Sequence, residues 1–253
     1  MIDSRLQRQR FEYKYITTEH KAVAIRQFLE SYLDVDAFGA TMPDFSYPIH
    51  SIYLDSNSLT TYRDTLNGNR NRYKLRVRYY ENASTKPVYL EIKRRMDKII
   101  VKKRAIVHRN AVDSILLGNA PRFEHLYDPN PYQFEALQTF CALRSRLDAK
   151  PKVHVYYFRE AYQSEDNSSI RVTFDRHVKT SQVSRVDFAL NQHDPVMPFG
   201  EHVILELKFT DRFPRWFQDI VRTFDLRNES AAKYAAGLAI LRRDEPAITG
   251  ALE

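Results

Sequence analysis

From Arg72 to Arg78 the chain reads Arg-Tyr-Lys-Leu-Arg-Val-Arg, basic residues alternating with apolar or aromatic ones. A period of two marks a β-strand with two chemically different faces. One face here carries Arg72, Lys74, Arg76 and Arg78 and no acid. The same alternation recurs. Phe11, Tyr13 and Tyr15 oppose Arg10, Glu12 and Lys14 over 10–16, and Leu90 and Ile92 oppose Glu91, Lys93 and Arg95 over 88–95. A turn at Asp97-Lys98 leads into a third strand of a meander, 99–107. Further strands are predicted at 48–55, 152–162, 170–178 and 203–210, with a weaker one at 183–190.

Between the strands the apolar spacing becomes helical. Thr17 or Thr18 can cap a helix reaching Leu33, striped by Ala22, Ile25, Phe28, Leu29, Tyr32 and Leu33. Ser56 or Ser58 caps a short helix carrying Tyr62 and Arg63, which Asn67-Gly68 ends. Helices are also predicted at 110–117, within 131–147, and at 214–224 and 230–241. The fold class is α+β: about eight antiparallel strands, enough to close a small barrel, with helices packed outside. At 253 residues, with no repeat and no linker, one domain over 1–253 is expected.

The charged faces decide which way the sheet turns. Broad apolar stripes need covering and the helices have apolar faces to cover them, so the charged face is expected to line a tunnel. A lining of Lys14, Arg76, Arg78, Lys93, Arg159 and Arg171 is costly when empty and makes sense only around a polyanion or many waters. Net charge of +7 points the same way but does not choose among nucleic acid, anionic membrane and phosphate. Six glycines, none in a Walker or dinucleotide pattern, mean that phosphate would be held by side chains. Glu12, Glu91, Asp175 and Glu206 share the basic faces, either as structural ion pairs or as ligands for a divalent cation. His108, His154 and His177 form no metal or triad pattern and are read as surface or strand residues.

The lone cysteine, Cys141, excludes an intrachain disulfide and a cysteine-based zinc site, and suits a cytoplasmic location. No run of about 18 apolar residues occurs, so no membrane span is expected, and the first ten residues lack the apolar core of a signal peptide.

Glu12-Tyr13-Lys14, Tyr53-Leu54-Asp55, Leu75-Arg76-Val77-Arg78, Leu90-Glu91-Ile92-Lys93, Arg159, Ile170-Arg171-Val172, Leu205-Glu206-Leu207-Lys208 and Lys233-Tyr234 occur in an order that resembles the VTC domain. This is the catalytic domain of the vacuolar transporter chaperone polyphosphate polymerase and its bacterial relatives, within the triphosphate tunnel group that includes the CYTH enzymes. The resemblance runs from about Arg10 to Leu241. It implies a β-tunnel that adds the γ-phosphate of ATP to inorganic polyphosphate and releases ADP, with Mn²⁺ or Mg²⁺. The phosphate ligands it implies are Lys14, Arg63, Arg76, Arg78, Lys93, Arg159 and Arg171, joined by Lys103 or Arg104. It implies Glu206 as metal ligand and Lys233 as the lysine of the C-terminal helix, although Ala232 stands where the family often has serine. The CYTH hallmark is Glu-x-Glu-x-Lys, and Arg10 replaces its first glutamate, which favours the polymerase branch over the hydrolases. The alternatives are a triphosphatase of the same fold and a non-catalytic polyphosphate-binding module; nucleic acid is not an expected partner.

Overall fold

In the computed structural model, which describes residues 10–97, 99–165, 169–210 and 212–243, the alternating segments join one antiparallel sheet. Its first half comprises β1 (Arg10–Thr17), α1 (Glu19–Leu29), β2 (Asp34–Val35), β3 (Ser46–Asp55), α2 (Thr60–Leu66), β4 (Asn71–Tyr79), β5 (Val88–Met96) and β6 (Ile99–Val107). The second comprises α3 (Val112–Leu117), α4 (Pro131–Leu147), β7 (Lys150–Gln163), β8 (Ile170–Gln182), β9 (Val203–Thr210), α5 (Arg215–Thr223) and α6 (Lys233–Arg242). The strand order is β1-β9-β8-β7-β3-β4-β5-β6, with β2 paired to β7 off that path. Edge strands β1 and β6 share no ladder among the described residues, so hydrogen bonds do not close the ring. Side chains span the gap instead: Glu12 on β1 lies 3.1 Å from Lys93 on β5, two strands far apart in the order. The sheet has to roll to make that contact.

Alternation sets what each face meets. Leu75, Val77, Leu90, Ile92, Ala105 and Val107 turn outward beneath Val112 and Ile115 of α3 and Leu137 and Phe140 of α4. Val172, Phe174, Leu205 and Leu207 turn outward beneath Ile25 and Leu29 of α1 and Phe217 and Ile220 of α5. Each of the valine, leucine, isoleucine and phenylalanine side chains, fully buried, contributes about 1.5–3 kcal/mol relative to exposure. The opposite face carries the charges.

Local details refine several expectations. Thr18 caps α1 by accepting the Lys21 amide at 3.3 Å, but the helix stops at Leu29 and not Leu33. The chain turns there, the Leu29 carbonyl accepting from the amides of Tyr32 and Leu33, and Leu33 still reaches the core. The start of α2 is organised by Asp55: its carboxylate accepts the amides of Ser56, Thr61 and Tyr62, while the Ser56 hydroxyl accepts that of Thr60. Gly68, at φ +66, follows α2 as expected. Asp97 takes φ 53 between β5 and β6, and Lys98 lies outside the described residues. No strand forms over 183–190. β8 runs on to Gln182, after which Phe188 adopts a left-handed φ of 54 and Asp187 accepts the Ala189 amide, a turn that interrupts pairing.

That irregular segment covers two buried histidines. His50 on β3 and His154 on β7 approach to 3.1 Å, ring nitrogen to ring nitrogen, and are 1% and 3% exposed. Gln192 donates to the His154 carbonyl, and the Tyr79 hydroxyl donates to that of Ala189. Burial, and the neighbouring His154, lower His50 to about 3, and burial lowers His154 to about 4, from an ordinary value of 6.5. The unfolded chain therefore takes up these protons first as pH falls. Stability is expected to drop between pH 6.5 and about 4, by up to about 1.4 kcal/mol per pH unit for each histidine. Chemical denaturation across that range measures the slope, and His50→Phe, which keeps the ring stack on Tyr79, should reduce it.

α6 lies against the charged side of the sheet. Tyr234, Ala235 and Leu238 pack with Tyr53, Val155, Val178 and Ile204. The approach is close at Gly237, where an added Cβ would stand 2.4 Å from Thr180 Cγ2. Gly237→Ala is expected to push α6 away from β8, destabilising the protein by about 1–3 kcal/mol. A thermal melt reads the stability.

Candidate polyanion-binding site

The inward face gathers two carboxylate-centred clusters. In the first, Glu91 on β5 faces Arg76 on β4 and Arg104 on β6 in register. Arg76 reaches one carboxylate oxygen through Nη2 at 2.6 Å, and Arg104 reaches the other at 2.7 Å. Lys102 joins at 2.6 Å, and Arg78 stands 3.8 Å away. Glu91 has no exposed surface. Burial acts to raise its pKa, but Arg76, Arg78, Lys102 and Arg104 outweigh it and hold the carboxyl well below its ordinary range. Arg76 also donates to the Tyr53 hydroxyl, and Arg78 to Ser51 and Tyr157.

The second cluster centres on Glu206 of β9. Lys14 at 3.2 Å and Lys233 at 3.1 Å share one oxygen; Lys208 at 2.6 Å and Arg159 at 3.3 Å share the other. Arg159 grips Asp175 with two bonds, at 2.6 and 2.7 Å, and Lys233 reaches Asp175 at 2.6 Å. Lys14 also bridges to Glu12, which Lys93 contacts from across the sheet opening. Burial opposes ionisation of Glu206, yet Lys14, Lys208, Lys233 and Arg159 keep it charged. Arg171 stands further along β8, tied to Asp36 at 2.6 Å and within 3.3 Å of the Tyr47 hydroxyl.

Ten basic side chains (Lys14, Lys74, Arg76, Arg78, Lys93, Lys102, Arg104, Arg159, Lys208, Lys233) thus face four carboxylates, Glu12, Glu91, Asp175 and Glu206. Burial lowers Lys102 to about 6 despite its contact with Glu91, and Lys74 is the least paired of the set. It stands beside Lys93 in register, has no ion pair among the described residues, and approaches only the Tyr234 ring, at 5.8 Å. Burial, with Lys14, Lys93, Arg72 and Arg76 around it, lowers it to about 7. The four carboxylates balance only part of the charge that remains.

Of the residues expected at the site, Lys14, Arg76, Arg78, Lys93, Arg159, Glu206 and Lys233 converge on this face, with Arg171 beside them. Lys103 does not. It shares the outward side of β6 with Ala105 and Val107 and pairs with Glu135 of α4 at 2.7 Å. Its neighbours Lys102 and Arg104 point inward in its place. Arg63 is exposed on α2 and joins none of the ion pairs given for the two clusters. The Arg10 side chain lies outside what is described. Sequence reasoning did not nominate Lys102 or Lys208 as ligands, although strand alternation places both on the inward face.

Among the described residues no group of three or more histidines, cysteines or carboxylates is arranged to hold a metal ion. The carboxylates nearest Glu206 are Glu12, which shares Lys14 with it, and Asp175, which shares Lys233. Their chemistry is that of hard oxygen ligands, so Mg²⁺ or Mn²⁺ would be held here by one or two carboxylates only, with phosphates and water completing the shell.

The chain is thus a rolled antiparallel sheet with helices outside and a basic inner face. The chain belongs to the VTC domain family, whose sequence model matches residues 9–242. In fold it is similar to a Bacillus halodurans protein provisionally described as an adenylate cyclase, at 12% identity and a TM-score of 0.50, over 88% of this chain and 94% of that one. A Pyrococcus horikoshii OT3 protein aligns at 13% identity and a TM-score of 0.47, over 92% of this chain and 99% of that one. No curated protein matches the chain. No helix among the described residues is long and apolar enough to cross a membrane.

Proposed function

We propose that this protein, working as one domain, transfers the γ-phosphate of ATP to a growing inorganic polyphosphate chain and releases ADP. The observation that carries the reading is the excess of cations over carboxylates on one rolled face, in a chain of the VTC domain family. Phosphoryl transfer needs charge neutralisation on nonbridging oxygens and in-line alignment more than a covalent nucleophile. Arg76, Arg78 and Arg159 supply guanidinium forks for bidentate contact, with Arg171 beside them. Lys14, Lys93 and Lys233 supply point charges that can leave their carboxylates for phosphate oxygens. The attacking oxygen of a polyphosphate end is already anionic, so no side chain has to remove a proton. Glu206, with Glu12 or Asp175, would hold Mn²⁺ or Mg²⁺, and the bound ion would neutralise charge on the phosphates.

The test is incubation with ATP and Mn²⁺, resolving products on a polyphosphate-staining gel while ADP and orthophosphate are quantified. A ladder with ADP, lost in Glu206→Ala, supports the polymerase. ADP with equal free phosphate and no ladder would make the protein a triphosphatase. No turnover with any divalent metal would leave a binding module.

A further inference from the structure

The basic face ends in a rim of aromatic rings. Tyr80 directly follows β4, and β3 and β5 bring Tyr47 and Tyr89, the register partners of Arg159 and Arg78, to the same edge. Phe38, from the loop after β2, completes the group. Its ring centroid lies 4.8 Å from that of Tyr47 and 6.0 Å from that of Tyr80; Tyr80 in turn lies 5.6 Å from Tyr89. The Arg104 guanidinium backs the Tyr89 ring at 4.7 Å. Tyr47 is buried and serves the core, its hydroxyl donating to Asp36. Phe38 is different. It is 40% exposed, an apolar ring held open to water beside a strongly charged site. Phosphate-binding groups stand close by: Tyr89 is paired in register with Arg78, and Arg171 reaches Tyr47.

A scattered surface aromatic needs no explanation. Three rings gathered at one mouth of an anion-binding face do, because planar π faces are what nucleobases stack on. We propose that Phe38, Tyr80 and Tyr89 form the nucleobase platform of the phosphoryl donor, a nucleoside triphosphate whose phosphates run inward to Arg78, Arg159 and Arg171. This inference rests on the reading that the donor is a nucleotide. In such a donor the base and the transferred phosphate sit at opposite ends, so a base held at the rim directs the terminal phosphate into the charged interior. The rings stand at steep angles, 55° between Phe38 and Tyr80 and 81° between Tyr80 and Tyr89, so a base would stack on one face, that of exposed Phe38, and meet the edge of the next ring. Stacking on a single face favours purines over pyrimidines and separates ATP from GTP weakly.

Calorimetric titration without divalent metal, so that nothing turns over, compares ATP with inorganic tripolyphosphate, which has no base. Removing both rings in Phe38→Ala with Tyr80→Ala is expected to weaken ATP binding roughly ten-fold and to leave tripolyphosphate binding unchanged. Tyr80→Phe, which keeps the ring, should match the wild type for both. Equal loss for the two ligands, or loss for neither, would overturn the platform while leaving the nucleotide donor standing. A wild-type protein that binds tripolyphosphate but not ATP would overturn the donor reading itself, and the platform with it.

Discussion

The Arg76→Ala, Arg78→Ala double variant is expected to fold normally and to lose phosphoryl transfer by at least about 10³-fold. Both guanidinium groups sit on the inward side of β4, 13% and 7% exposed at the side chain, with Tyr53, Ser51 and Tyr157 fixing their orientation. Donors held this way need no reorganisation when charge builds on the transferring phosphoryl group, which is why their loss weighs on rate. The fold should tolerate it. Glu91 keeps Lys102 and Arg104 as partners, and removing two cations from an over-supplied face relieves repulsion. The informative comparison is kcat/KM for ATP against the melting temperature. Unchanged activity would take β4 out of the site. Replacing both arginines by lysine keeps the charge but not the fork, and intermediate activity is expected.

Removing Glu91 is expected to do the reverse, damaging the fold before the chemistry. Its carboxylate is the counter-ion closest to Arg76, Arg104 and Lys102. Breaking a buried pair on one side costs about 3–5 kcal/mol, because the remaining charges stay desolvated and uncompensated. Glu91→Ala should fall in that range by urea denaturation. Tripolyphosphate should then stabilise the variant more than the wild type, since a bound anion restores the missing negative charge. A variant as stable as the wild type would show that water already screens these charges.

Much of this arrangement was legible because a strand's period of two is hard to disguise. Arg76 and Arg78 had to share a face with Lys74, and Leu75 and Val77 had to face the core. Lys103 and Arg104 were left as alternatives because β6 carries three consecutive basic residues, Lys102, Lys103 and Arg104, and it is Arg104 that turns inward. There the apolar stripe, Val101, Ala105 and Val107, gives the parity, not the charge. The 183–190 segment alternates weakly, and a left-handed turn at Phe188 overrides a pattern with so little to bury on either side. Asp55 was invisible as a cap because it ends a strand, with its three amide partners spread over residues 56–62. The buried His50–His154 contact depends on the β3–β7 pairing, and no local spacing announces a partner more than a hundred residues away.

Lys74 has a consequence for the heat of binding. With no carboxylate to hold its proton, this amine near pKa 7 is partly neutral at neutral pH, and an arriving polyanion draws a proton from the buffer onto it. Anion capture and proton uptake then become one event. The apparent enthalpy will depend on the ionisation heat of the buffer, and affinity will weaken as pH rises through 7. Lys102, lowered to about 6, and Lys208, lowered to about 8, share in this uptake, so Lys74→Met should reduce the buffer dependence without removing it.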